Sequence, residues 1–406
     1  MRALLSTIGS RGDVQPLVAL ALELRAHGHD VRVCVPPDFR AWIEGLGVAV
    51  TPIGPELRTF APPPSSGPPD PERGRQLVEA SVAAQFETVA AAARDCDKIV
   101  AATALQIAAR SVAERMGIPY VFAAYCPNVL PSPHHAPPPL PAMPGLPAPS
   151  ATAGNGELWN RDAERFNAVF GAALNRHRKS LGMSAVTDVR GHVFGDQPWL
   201  AADATLAPWP GPADGRVIQT GAWVLSDDRP LSAELLRFLD AGEPPIYFGF
   251  GSMRAAPDLG GAMLEAARAV GRRAIVSRGW AELSLPDGQP DCLSIGEVNQ
   301  QALFQRVAAV VHHGGAGTTT AAALAGAPQV IVPQLYDQHY WASRVQALGI
   351  GTAHAPGTPT VASLRSALER TLQRDITARA RSIAPEVMRD GKRVASARLA
   401  RLSSQP

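Results

Sequence analysis

The sequence predicts two α/β domains, each built on a parallel sheet. Three observations carry that expectation. At 406 residues the chain is too long for one ordinary hydrophobic core and fits two domains of common size. From residue 2 onward, short apolar runs alternate with helix-period segments, the signature of βαβ units. A second such series opens at 245–252, after an irregular stretch over 208–230 that reads as the interdomain linker region.

In the first series, 2–8 reads as a strand, 14–27 as a helix, 31–35 as a strand and 41–46 as a helix. The segment 72–94 predicts a long helix with Val78, Val82, Phe86 and Val89 on one stripe, and 99–101 and 120–123 read as later strands. Two proline-rich segments, 61–71 and 127–149, interrupt the pattern. The second holds ten prolines in 23 residues, so it can be neither helix nor central strand. It is either a surface insertion or a semi-rigid loop shaping a pocket for a bulky ligand, with Tyr125, His134, His135, Leu140 and Met143 as contact surface. Its start just past a strand's carboxyl end favours the pocket. The segment 157–178 has helical spacing through Trp159, Phe166, Val169, Phe170 and Leu174, the pattern of a core face. In the second series, strands are expected at 274–277, 292–295, 307–311 and 329–332, each followed by helical sequence, and 389–402 reads as a last helix. None of this gives the order of strands within a sheet.

Composition removes several classes of function. A hydrophobic content of 46% describes a globular protein, and no run reaches the roughly 18 apolar residues of a membrane span. The opening run 3–8 is too short for a signal-peptide core and lacks a cleavage site, which predicts a cytoplasmic protein. A net charge of +2 leaves no basic footprint for nucleic acid. Cys34, Cys96, Cys126 and Cys292 are scattered without C-x-x-C spacing, which argues against structural zinc and a disulfide framework.

The chemistry concentrates at strand ends. Val310 to Thr320 joins a buried strand to a helix through His312-His313-Gly314-Gly315-Ala316-Gly317-Thr318. A helix N-terminus carries unpaired N–H donors and about half a positive charge, so a glycine turn there can hold two phosphates without a metal. A ligand-free glycine connection is the plain alternative. Adjacent strand residues face opposite sides, which assigns His313 to the ligand and His312 to a partly buried structural place. Gly9-Ser10-Arg11-Gly12-Asp13 departs from the G-x-G-x-x-G spacing of a dinucleotide fold, and no glycine run is followed by the Gly-Lys-Ser/Thr of a P-loop. Asp13 reads either as the N-cap of a helix beginning at Val14 or as a general base facing a cleft. Asp337 and Gln338 suit sugar hydroxyls and equally suit loop caps.

Taken together, Gly9-Ser10-Arg11-Gly12-Asp13-Val14-Gln15-Pro16, Phe250-Gly251-Ser252, Glu297-Val298-Asn299-Gln300, the glycine turn and Asp337-Gln338 resemble the motif series of bacterial natural-product glycosyltransferases. The likeness extends over nearly the whole chain through Cys126-Pro127 and Thr220-Gly221-Ala222-Trp223, and is closest to the enzymes that decorate vancomycin-type glycopeptide antibiotics. The resemblance implies the GT-B architecture, two Rossmann-like doubly wound domains facing a central cleft. Residues 1–215 would bind the acceptor, 216–385 the nucleotide-sugar, and 386–406 would form a helix crossing back to the first domain.

By the same resemblance, His313, Gly315, Gly317 and Thr318 hold the donor diphosphate with Ser10 and Ser252 in contact. Arg278 and Val298 border the nucleoside, Asp337 and Gln338 bind the sugar, and Asp13 is the general base of an inverting transfer. The chain lacks a tryptophan at the start of the nucleotide motif, where Val298 stands, so a UDP-sugar and a dTDP-sugar both remain open. Neither cofactor nor metal is expected beyond that co-substrate. The acceptor is a small-molecule aglycone, a glycopeptide or else a macrolide, polyketide or sterol-like compound, and oligomeric state is left open. A sugar-nucleotide epimerase or a non-catalytic nucleotide-sugar-binding helper are the other classes compatible with the architecture.

Overall fold

The apolar run Arg2–Thr7 forms β1, and every residue after Arg2 is buried, as a central strand covered on both faces must be. In the computed structural model, which describes residues 1–59, 70–139, 150, 152–212, 215–252, 259–280, 283 and 289–402, it is the centre of a parallel sheet. The other strands of that sheet are β2 (Asp30–Val35), β3 (Ala49–Pro52), β4 (Lys98–Ala102), β5 (Tyr120–Ala124), β6 (Trp199–Leu200) and β7 (Ile218–Gln219), in the order β3-β2-β1-β4-β5-β6-β7. A second parallel sheet contains β8 (Ile246–Gly249), β9 (Ala274–Ser277), β10 (Cys292–Ile295), β11 (Ala309–His312), β12 (Gln329–Ile331) and β13 (Gly351–Ala353), in the order β10-β9-β8-β11-β12-β13.

Both sheets reverse strand order beside their first strand, at β1/β4 and at β8/β11. Open α/β sheets bind ligands at such a reversal, beyond the carboxyl ends of the strands, because the neighbouring loops there part to opposite faces. Β1 leads into the Gly9–Asp13 loop and β11 into the glycine turn. The motif-bearing segments therefore sit at the two crevices.

Three expectations need correction. The first helix runs Arg11–Ala26 with Ser10 as its N-cap, so Asp13 lies in the first turn and does not cap a helix starting at Val14. Pro16 lies past the first turn, so its missing N–H leaves the Gly12 carbonyl without its intrahelical partner, one hydrogen bond lost near the N-terminus of the helix. The irregular stretch over 208–230 contains β7, which pairs with β6, so the first sheet extends to Gln219, past the boundary expected at 215. Sequence pattern also overlooked β3 and β13, whose short runs carry few large apolar residues. Much of the proline-rich stretches 61–71 and 127–149, including Leu140 and Met143, lies outside the described residues.

The last helix, Gly391–Arg401, packs on the first one and places Ala395 and Leu399, both fully buried, in the core of the N-terminal sheet. The Lys98 ammonium donates to the carbonyls of Leu399 and Ala400 at that helix's C-terminus, where a cation meets the negative end of the helix dipole. No helix among the described residues is long and apolar enough to cross a membrane.

Candidate active site

Asp13 is positioned by its own helix. Its Oδ2 accepts hydrogen bonds from the Ser10 amide at 2.7 Å and the Ser10 hydroxyl at 3.2 Å, a reciprocal cap of the kind that satisfies orphan N–H groups. Gly9 makes room for it, since a Cβ there would lie 2.3 Å from Oδ2. On the other side the Tyr125 hydroxyl donates to the Asp13 carbonyl at 3.1 Å, and its ring meets Trp223 edge-on. Burial pushes the Asp13 carboxyl up to about 6, against the hydrogen bonds from Ser10. A carboxylate so poised is ionised at neutral pH and is a stronger base than an exposed one.

Across the cleft stands Asp337, the N-cap residue of the helix Gln338–Ala347. Burial first, and the Asp13 carboxylate second, raise it to about 7, while the Trp341 indole donates to its Oδ2 at 3.2 Å. The two domains thus bring two carboxylates to one site. Tyr336 beside it adopts φ +55, rare for a bulky residue, and its hydroxyl feels the carboxylates of Asp337, Asp162 and Asp13. Gln338 is buried, and its Oε1 accepts from the amides of Gln334 and Leu335. Its oxygen caps the turn that carries Asp337, the loop-cap reading of this residue.

The glycine turn follows β11. Gly315 caps the helix Ala316–Leu324, Gly317 and Thr318 lie in its first turn, and this helix touches the Arg11–Ala26 helix across the domain boundary. His313 packs between two glycines: a Cβ on Gly315 would come within 2.8 Å of its Nε2, and one on Gly251 within 3.3 Å of its Cε1. Burial lowers His313 to about 4, which keeps the ring neutral, and its Nδ1 has no partner among the described residues. Ser252 follows β8 at the same crevice and is half-buried, whereas Met253 lies outside the described residues. Arg278 is exposed and extends beside Gly296, and Val298 packs half-buried against the Leu303 and Phe304 core.

The structure also supplies residues that pattern reading missed. Arg11 spans the cleft, its guanidinium 3.5 Å from the centre of the Trp42 ring and 3.6 Å from Glu297 Oε1 of the other domain. Trp280 stacks toward Phe39 with ring centres 6.1 Å apart, a second bridge between the domains. Asp162 and Arg190 form a buried pair at 3.1 Å in the N-terminal domain, with Asp162 close enough to act on Tyr336. The family motifs around Arg11 and Glu297 offered a signal. The others depend on long-range packing. Of the residues expected in the proline-rich loop, His135 is held inside the loop, its Nε2 2.9 Å from the Leu130 carbonyl and its ring edge-on to Trp159 and Trp209, while His134 is exposed.

Two doubly wound sheets whose switch-point crevices face each other, one with a raised carboxylate and the other with a glycine-turn helix N-terminus, define a glycosyltransferase of the GT-B class. The glycosyltransferase family 28 N-terminal domain matches residues 3–132, and the C-terminal domain of the erythromycin biosynthesis protein CIII-like family matches residues 265–393. The chain is 49% identical over 401 residues to glycosyltransferase GtfE of Amycolatopsis orientalis, covering 98% of this chain and 96% of that one. It is 48% identical to the vancomycin aglycone glucosyltransferase of the same organism, with the same coverage, and 42% identical to its dTDP-epi-vancosaminyltransferase over 94% and 93% of the two chains. This protein belongs to that family of bacterial natural-product glycosyltransferases. Among solved structures, the glycotransferase of kitacinnamycin superposes with a TM-score of 0.73 at 19% identity over 100% and 99% of the chains. CalG4, the calicheamicin glycosyltransferase, gives 0.70 at 20% over 98% and 97%, and both establish the shared fold.

Proposed function

We propose that this glycosyltransferase inverts the anomeric centre while moving a sugar from a nucleoside diphosphate to a hydroxyl of a glycopeptide aglycone. The observation that carries the mechanism is the opposed placement of Asp13 and the glycine turn on the two walls of one cleft. Asp13 takes the proton of the acceptor hydroxyl, whose oxygen attacks C1 of the sugar as the C1–O bond to the diphosphate breaks. The charge that develops on the departing diphosphate is met by the amides of Gly315 to Thr318, the N-terminus of their helix and neutral His313. Ser252 adds a phosphate contact, Arg278 and Val298 border the nucleoside, and Asp337 holds sugar hydroxyls. In this reading the N-terminal domain takes the acceptor and the C-terminal domain the donor. A charged nucleotide-sugar is costly to move through a bilayer, which suits a cytoplasmic enzyme.

The glycopeptide acceptor is supported by identity of nearly one half to a vancomycin aglycone glucosyltransferase, and a dTDP donor by the name of the 42% identical relative. The deciding experiment is a mass-spectrometric matrix of UDP- and dTDP-sugars against glycopeptide, macrolide and polyketide aglycones, with EDTA present. Transfer to the glycopeptide, with full turnover in EDTA, is expected. Transfer only to a macrolide or polyketide would overturn the acceptor, and strict metal dependence would overturn the metal-free leaving-group site. Absence of any transfer with epimerised donor appearing would overturn the mechanism.

A further inference from the structure

Behind the glycine turn runs a chain of neutral hydrogen bonds. His312, the last residue of β11, is fully buried. Its Nδ1 accepts from the Gly314 amide at 3.1 Å, and its Nε2 lies 2.9 Å from Gln329 Oε1. Gln329, the first residue of β12 and also fully buried, donates from Nε2 to the Thr319 carbonyl at 3.3 Å. Because Nδ1 faces an N–H donor, the ring proton is on Nε2, where Gln329 Oε1 accepts it, and this leaves the amide end of Gln329 toward Thr319. Burial lowers His312 to about 3, so the ring stays neutral at any working pH.

The two ends of this chain grip the two ends of the turn. Gly314 sits at φ +96 with a Cβ position 2.7 Å from Ile331 Cγ2, so only glycine can bring its amide back to His312. Thr319 belongs to the first turns of the helix Ala316–Leu324. We propose that His312 and Gln329 are positioning residues of the donor site, bracing residues 314–319 from the protein side so that the amides of Gly315 to Thr318 stay aimed at the diphosphate. The inference rests on the reading of the turn as the diphosphate site, and it assigns a task to a pair that touches no substrate.

Exchanging Gln329 for glutamate supplies a sharp test. A carboxylate beside Nε2–H favours the imidazolium, and a doubly protonated ring turns Nδ1–H against the Gly314 N–H. The titratable group facing His312 is His313, with ring centres 6.4 Å apart; Gly314, Thr319 and Gln329 are neutral. Calorimetric dissociation constants of thymidine diphosphate and uridine diphosphate are measured for wild type and Gln329→Glu between pH 5.5 and 8.5. The variant-to-wild-type ratio should stand above one at the alkaline end, where an ionised carboxylate cannot donate to the Thr319 carbonyl as the Gln329 amide does, and rise about tenfold further at the acid end as the ring turns against the Gly314 amide. A ratio independent of pH overturns the brace. His312→Asn retains an acceptor for an amide two residues on, so it should bind within about threefold of wild type where His312→Leu loses about tenfold or more. Equal binding by those two variants also overturns it. In wild-type protein, independent of any variant's folding, nitrogen NMR should show His312 protonated at Nε2 alone from pH 5 to 9, and titration in that range or an Nδ1–H tautomer sinks the proposal. Wild-type protein that binds neither diphosphate would instead refute the donor-site reading beneath it.

Discussion

The carboxylate of Asp13 accepts the Ser10 amide at 2.7 Å and has, on the proposed mechanism, to accept a substrate proton as well. A carboxylate has lone pairs for both, and its raised basicity, about 6, comes from the burial that also shields the cleft. With Asp337 at about 7, raised in part by the Asp13 carboxylate, kcat/KM should rise with pH through the interval from about 6 to about 7. The stability effect has the opposite sign. Both folded-state values lie above those of the unfolded chain, so the native state holds these protons more tightly and stability falls as pH rises from about 4 to about 7. Asp13→Asn should therefore lose on the order of 10²-fold or more in kcat with donor affinity nearly intact. It should also be more stable than wild type at pH 7.5, by on the order of 1–3 kcal/mol and seen as a higher Tm, with little difference at pH 4.5. Near-normal turnover would return Asp13 to a capping role and promote Asp337 as the base.

At the scale of elements, the strand–turn–helix unit from β11 through Ala316–Leu324 works by exclusion of side chains. Gly315 has an ordinary extended backbone at φ −65 and ψ 140, so any residue could adopt it. What forbids a side chain is His313, boxed between Gly315 and Gly251. Gly315→Ala should push the imidazole out of place and weaken nucleoside diphosphate binding by about tenfold, while thermal unfolding changes little because the turn borders solvent. If calorimetry gave unchanged binding, His313 would have no part in holding the diphosphate.

The whole molecule is tied together at several separate places. Arg11–Glu297 and Phe39–Trp280 bridge the cleft, the Arg344 guanidinium donates to the Leu206 carbonyl at 2.8 Å, and the last helix returns to the first domain. Glu297 is largely exposed, so that ion pair adds little stability and is weakened by salt. The returning helix contributes more, because it buries Ala395 and Leu399. It enters through Gly391, where a Cβ would stand 2.3 Å from the Gly221 carbonyl and 2.6 Å from that of Ala222. These are backbone atoms and cannot swing aside. Gly391→Ala should lower stability by about 1–3 kcal/mol, read as a fall in melting temperature, and an unchanged Tm would show that the helix docks with slack.

How much of this was legible in the sequence follows the range of the interactions. Local pattern determined two α/β halves, strands where apolar runs were long, and the motif loops at their ends, since periodicity and glycine chemistry act over a few residues. It also separated His312 from His313, because neighbouring strand residues must diverge. It missed β3 and β13, whose short runs acquire strand character only from their neighbours, and placed the first helix too late because Asp13 reads as an N-cap while the local Ser10-x-x-Asp13 spacing puts the cap at Ser10. The strand orders, and hence the crevices at β1/β4 and β8/β11, came only from the tertiary structure. So did the pairing of Asp13 with Asp337, the left-handed Tyr336, and the task of Gln329, an unremarkable glutamine until β12 lies beside β11. Sheet pairing and domain facing are set by burial shared among segments hundreds of residues apart, and no local window contains that information.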